Sequence, residues 1–519
     1  MLSDAKCPIT PNMTKNERKT DAMQSEAAKL AMDIEAPVSS LSPVQRLPVE
    51  ILGIIFTFAT PPTINPLTKN ALVDLCLVCQ VWHRAMQLAP HIWASIALGV
   101  LPSGRRYIYE NLISWFSRSG DYPKRLEFYA YQGDGVKQSI CMAAARGVGV
   151  CLCCRGSTCM IQEDDTVLRL LTGGPVLQHF TFFGLQACYH RWIEAMQPRD
   201  QSLKPRPWDT LRSFELSLES RHRATDLWDH SLPTFRLLPP LVDFLHLEPI
   251  SLSCLPDTGI RLDIPPSTLG RLTSLTLECN WNISHTFASL QLCRNLEILI
   301  LDYSSGVRSP SVQEHRVLLP SLHTLRYNNG PWASMSVLQS LNTPVLQELQ
   351  VSGGTPPSAK EFHNFLTQSR CTQTLQRLQL FSAHTFPMGD AFGSLISNLP
   401  SLSQLTFINW VITDNFLMKS QDRPATARGA EGGRPFSRLQ HMQLVNTTQQ
   451  WRIDLPPIHR IFKERGHSAY PCLLTFVNKA EVQAGNAPKT YSPTQEPGYE
   501  EMRSSLKGLG VFMRVLADS

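Results

Sequence analysis

The sequence predicts an α/β chain in which a small N-terminal helical module precedes an irregular solenoid of parallel strands with helical or loop returns. Three observations lead there. Ten copies of one short apolar pattern recur from about residue 170 onward. Helix-spaced apolar residues crowd into Leu47–Trp93, ahead of those copies. The 519 residues also exceed what one compact core accommodates, so several domains or a repeat array are expected.

Taken in order, residues 1–40 are polar and expected to be disordered apart from one short helix over Glu17–Ile34. Residues 41–98 form the helical module. In LPVEILGIIFTF, Ile51, Ile54, Ile55 and Phe58 fall on one stripe of a helix. Pro48 suits the first helical position, where its missing N–H costs nothing, and Glu50 sets negative charge beside the positive helix end. Thr60-Pro61-Pro62 forbids continuation. A polar linker to about Asn70 is expected next. Leu72, Leu75, Cys76 and Cys79 then make a second stripe, with Val78 and Trp82 beside it. Two such short helices cannot bury all of this between themselves, so the surplus goes into the following domain or into a partner.

Residues 99–169 are expected to cap the repeats, with Leu126-Glu-Phe128 as a first strand. From 170 to 519 the pattern is an apolar residue, two others, an apolar residue, one other, an apolar residue. It runs from Leu177-Gln-His-Phe180-Thr-Phe182 through Leu211, Val242, Leu272, Leu296, Leu322, Leu346, Leu375 and Leu402 to Leu439-Gln-His-Met442-Gln-Leu444, at spacings of 24 to 37 residues. The last two apolar residues of each copy alternate on a strand and point inward, while the first sits on the turn leading into it. Helical pieces at Ser336–Leu341, Ala359–Leu366 and Ala391–Leu399 fill the returns, and Pro471–Phe476 and Leu509–Val515 add C-terminal strands. The residues alternating with the inward ones are Thr, Gln, His and Arg, a polar face of mixed charge suited to a protein partner. Insertions at 419–435 and 484–498 lack apolar periodicity.

The helical segment carries a motif. Leu47-Pro48-x-Glu50-Ile51-Leu52-x-x-Ile55-Phe56, Leu75-Cys76-x-Val78-Cys79-x-x-Trp82-His83 and Pro90-x-Ile92-Trp93 are similar to the F-box as it occurs in fungal proteins, over roughly residues 42–98. The repeats resemble the irregular leucine-rich repeats that often follow it. The resemblance implies a non-catalytic substrate receptor of a Skp-cullin-F-box type ubiquitin ligase. The module would dock a Skp-type adaptor, and through it a cullin-RING ligase, while the repeats hold a protein target. Leu47, Pro48, Ile51, Ile55, Leu75, Val78 and Trp82 would line or support the adaptor interface. The alternative is a leucine-rich-repeat interaction scaffold without a ligase role, its helices capping the solenoid.

Composition narrows the remaining classes. A net charge of +5 over 519 residues is too dilute to imply nucleic acid, and no dense Lys/Arg run with interleaved aromatics occurs. Neither a secretory signal nor an uninterrupted apolar span is evident, so a cytoplasmic or nuclear location is expected, with no membrane contact. The 14 cysteines then read as reduced thiols, several of them core residues such as Cys76, Cys279 and Cys293. Cys151, Cys153, Cys154 and Cys159, with Cys141, Cys188 and His190 nearby, lack the C-x-x-C chelating pair of a structural zinc site. No G-x-S-x-G elbow, Walker loop or H-E-x-x-H appears. The sequence therefore points to no catalytic residue, metal or cofactor.

Overall fold

The computed structural model describes residues 46–99 except 62, 107–129, 165–196, 206–219, 238–250, 263–278, 283–303, 316–329, 336–353, 358–388, 390–397, 399–412, 436–446, 458–463, 470–478 and 499–517, together with 20, 22–27, 29, 235 and 465. The cysteines at 141–159 and both expected insertions lie outside these residues, as does most of 1–40, of which 22–27 are helical. The chain divides into two compact units, Met1–Ile96 with Trp115–Tyr122, and Ala97–Ser114 with Pro123–Ser519.

The first unit is built on three helices, α1 (Val49–Ala59), α2 (Pro66–Leu77) and α3 (Gln80–Gln87), followed by a 3-10 turn at Pro90–Ala94. Pro48 stands one residue before α1, with its carbonyl accepting from Leu52 N at 3.1 Å. The helix stops at Thr60, whose extended backbone still lets its N–H and Oγ1 donate to Phe56 O at 2.9 and 2.8 Å. Two expectations are corrected here. The linker ends at Asn65 and not near Asn70, because the Asn65 side chain accepts from Thr68 N at 2.9 Å and Pro66 takes the first helical position. The second helix is in fact two, broken at Val78–Cys79, where Cys79 is fully extended (φ −163°, ψ 170°). α3 packs against both α1 and α2.

Trp93 ties this unit together. Buried, it donates Nε1–H to Met86 O at 2.8 Å, meets Trp115 edge to face at 4.8 Å, and lies 4.7 Å beneath the Arg118 guanidinium. Those contacts explain why Trp115–Tyr122 folds with the helices despite following them by twenty residues in the chain.

The second unit is α/β with one long sheet. Its 14 strands lie in chain order: Ser95–Gly99, Arg125–Tyr129, His179–Leu185, Ser213–Glu219, Phe244–Ile250, Ser274–Glu278, Ile298–Tyr303, Thr324–Asn329, Glu348–Gly353, Arg377–Met388, Gln404–Ile412, His441–Asn446, Cys472–Asn478 and Val511–Ala517. Each pairing from Arg125–Tyr129 onward is parallel. The arrangement is compatible with a solenoid-like α/β fold.

The register follows the sequence pattern. Leu126, Phe180, Phe214, Leu245, Leu275, Leu299, Leu325, Leu349, Leu378, Leu405, Met442 and Leu474 are successive cross-strand partners, and all are buried. A second ladder, two residues on, runs from Phe128 through Phe182 and Leu216 to Leu444 and Phe476. The residue after each copy's first apolar position extends the hydrogen bonding beyond the strands: Gln178 O, for example, accepts from Arg212 N and Ser213 N at 2.9 Å each. One strand pair is irregular between Phe381 and Phe386, where Asn409 takes φ 61° and donates Nδ2–H to Ser382 O at 2.8 Å. Asparagine tolerates that left-handed conformation better than most residues.

Helices Thr166–Gly173, Gln186–Ala195, Ile283–Leu290, Ala359–Ser369, Asp390–Ser397 and Tyr499–Gly508 occupy the returns. Trp192, from Gln186–Ala195, stacks on Phe182 at 5.6 Å and touches Phe180 at 5.3 Å, so the helix packs on the ladder side of the sheet. Arg465 is buried, only 1% exposed, and donates Nε–H to Phe436 O (3.1 Å) and Nη2–H to Leu439 O (3.0 Å) and Tyr470 O (2.6 Å).

Candidate functional site

Two surfaces carry side chains that the fold itself does not use. The first is on α1. Its buried face holds Leu52, Gly53 and Phe56, and the stripe Ile51, Ile54, Ile55 and Phe58 turns to solvent with 43, 52, 44 and 86% exposure. Spacings of three and four residues place these four on one side of the helix. A helix with apolar residues on both its buried and its open side is unusual for a small unit that stays unpartnered, since exposed apolar surface in concentration marks a contact site.

The break between α2 and α3 adds a second apolar group, with Leu77 (76% exposed), Val78 (58%) and Val81 outward. Of the residues expected to line an interface, Pro48, Ile51, Ile55 and Val78 are exposed, whereas Leu47, Leu75 and Trp82 are half-buried. The Trp82 ring packs on Phe56 at 5.0 Å, so this residue supports the unit's own packing. Cys76, expected in the core, is only half-buried, although Leu72 one turn before it on the same side of α2 is buried. Ile54 and Phe58 belong to the stripe without being motif positions, and Leu77 and Val81 carry no motif signal at all.

The second surface is the sheet face opposite the apolar ladders, which displays residues alternating with the buried ones. Its charges are segregated. Across Arg125–Tyr303 the strands present Glu127, Glu215, Glu248, Glu278 and Asp302, with Arg125 their only arginine or lysine. Arg125 reaches Glu127 at 2.8 Å and Glu215 at 3.8 Å. Tyr129 donates to Glu127 at 2.9 Å, and burial together with that carboxylate's charge and hydrogen bond pushes the phenol up to about 12. Farther along, Arg326 and Arg377 flank Glu348 at 3.4 and 3.5 Å.

At the centre of the acidic stretch, His246 meets Glu278 at 3.1 Å. Burial pulls the imidazole pKa down, but the hydrogen bond and charge of Glu278, with Glu215 and Glu248 behind, outweigh it and hold the pKa above the ordinary histidine value. Among the described residues of this face, none forms a nucleophile with its base. The arrangement offers carboxylates, amides and hydroxyls on rigid strands, which is a means of binding.

Among the described residues no helix is long and apolar enough to cross a membrane. Compared with protein-family models and with characterised proteins, the chain gives no match.

Proposed function

We propose that the chain is a non-catalytic substrate receptor of a Skp-cullin-F-box type ubiquitin ligase, acting in the cytoplasm or nucleus. Its N-terminal unit serves as an F-box-like module docking a Skp-type adaptor, and its leucine-rich-repeat-like sheet holds a protein target. The observation that carries this reading is the solvent-facing stripe of Ile51, Ile54, Ile55 and Phe58 on a helix whose other side already packs on α3. Pro48 and Val78, also exposed, flank the same use, with Leu47, Leu75 and Trp82 supporting them from partly buried positions. The contribution to ubiquitin transfer is proximity: a tethered target experiences a raised effective concentration at the ligase, and the chemistry occurs on other subunits. Direct binding of the full chain to a purified Skp-type adaptor tests this. Wild type is expected to bind, and Ile55→Glu and Val78→Glu, both at exposed positions, are expected to abolish binding without unfolding the chain. A folded wild type that does not bind the adaptor overturns the reading.

One observation favours the scaffold alternative. The helical unit is completed by Trp115–Tyr122, residues that follow the start of the sheet, so its packing is not confined to one continuous segment. A module integral to the solenoid would show this and bind no adaptor, the outcome the same assay reads.

A further inference from the structure

The sheet brings together a histidine and two glutamates that are about thirty residues apart in sequence. His246 and Glu248 alternate along Phe244–Ile250 and so share a face. His246 is paired with Thr276 on the next strand, which places Glu278, two residues beyond Thr276, beside Glu248. One ligand atom from each of the three, the imidazole nitrogen and a carboxylate oxygen from each glutamate, lie within 4.8 Å of one another, and the His246–Glu278 edge is 3.1 Å. A tetrahedral ion about 2.1 Å from its nitrogen and oxygen ligands needs those ligands roughly 3.4 Å apart. The short edge is close to that size, and the others, no longer than 4.8 Å, are within the reach of side-chain rotation.

A second observation points to the same spot. Ser217 is the cross-strand partner of Glu248 on the other side, on the same face. It is 5% exposed, and among the described residues its Oγ has no hydrogen-bond partner. A buried hydroxyl left so costs about 1–3 kcal/mol, and a water held on an adjacent ion would supply the missing partner. Glu215, flanking on the Ser217 strand, adds negative charge to the pair of carboxylates that already stand side by side.

We propose that His246, Glu248 and Glu278 bind a single first-row divalent cation, with Zn²⁺ matching one imidazole and two carboxylates. Three protein ligands leave the remaining coordination positions for water or for a donor from a bound target. The inference is independent of the adaptor reading, since no residue of the N-terminal unit takes part.

Calorimetric titration of the chelator-treated full chain with Zn²⁺ tests it, alongside His246→Ala and Glu248→Gln/Glu278→Gln, whose folding is checked by circular dichroism. The glutamine substitutions keep side-chain shape and relieve charge repulsion, so the fold is expected to persist. Wild type should show one more bound zinc than either variant, or the same site weakened at least tenfold in them. Equal stoichiometry and affinity in all three, with any zinc held by thiols elsewhere, overturns the proposal, as does absence of binding.

Discussion

The exposed stripe on α1 gives the sharpest test, because the same four side chains contribute little to folding and much to any partner. Replacing Ile51, Ile54, Ile55 and Phe58 together with Ser removes apolar surface that is already in water. Their exposed fractions, 43, 52, 44 and 86%, amount to a little over two whole side chains. Burying such a side chain contributes about 1.5–3 kcal/mol, so a docked partner gains roughly 4–5 kcal/mol from this stripe. That is on the order of a thousandfold in Kd before ordering costs, and at least about a hundredfold after them. Surface substitutions of this kind shift stability by only about 0.5 kcal/mol each. The four together cost about 2 kcal/mol, so the expected result is a folded chain whose thermal midpoint falls by about 10 °C and whose affinity for a Skp-type adaptor, measured by calorimetry, drops a hundredfold or more. Adaptor affinity within threefold of wild type refutes the docking argument. So does a collapse of the fold, which would make the stripe part of the core.

Three further outcomes follow from the packing. Arg465→Met leaves the Leu439 carbonyl without its donor, while Phe436 O keeps the Leu439 N–H at 3.0 Å; for one buried unpaired group a loss of about 1–3 kcal/mol is expected in urea denaturation, and an unchanged stability contradicts it. Burial pushes the thiols of Cys293, Cys371 and Cys472 up to about 12, 12 and 11. At pH 8 these three should stay unlabelled by an alkylating reagent in the native chain and react on unfolding, as read by mass spectrometry; native labelling at any of them contradicts their placement in the core. For His246 the folded pKa lies above the unfolded one, so its pairing with Glu278 contributes stability in full below about pH 6.5 and loses it as the pH rises through the folded value. With chelator present, His246→Gln should reduce the thermal midpoint below pH 6.5 and converge on wild type above neutrality, and a difference that grows with pH has the wrong sign.

The second unit was legible in the sequence because one rule generates it. Every apolar position of the ten repeated copies is buried, from Leu177 to Leu444, and the strands expected at Leu126, Pro471 and Leu509 take their places at the two ends of the same sheet. The first unit was less so, for two physical reasons. Pro66 stands in a segment whose polar, proline-rich composition suits a linker, yet Asn65 in front of it makes a capped helix start. And α1 is apolar nearly all round, so periodicity defines a stripe at Ile51, Ile54, Ile55 and Phe58 without saying which way it faces. Only the packing of Leu52 and Phe56 decides that.

The His246, Glu248 and Glu278 cluster was invisible for a different reason, and that reason bears on how such a sheet acquires specificity. Motifs for metal ligands rely on chelating pairs at fixed short spacing. Here His246 and Glu248 are two apart, an ordinary strand alternation, and Glu278 joins them only through cross-strand register. Because the spacing of successive copies varies from 24 to 37 residues, register cannot be read as a sequence offset. It can be read once the buried residues are aligned, since each outward residue inherits its neighbours from them. Leu247 opposite Leu277 fixes His246 opposite Thr276 and carries Glu278 to the level of Glu248. The inward positions are thus held to apolar residues by packing, whereas the outward ones carry no such demand. Binding chemistry on this face is set by residues the core merely positions, and Ser217, Glu248 and Glu278 show three adjacent strands converging on one such point.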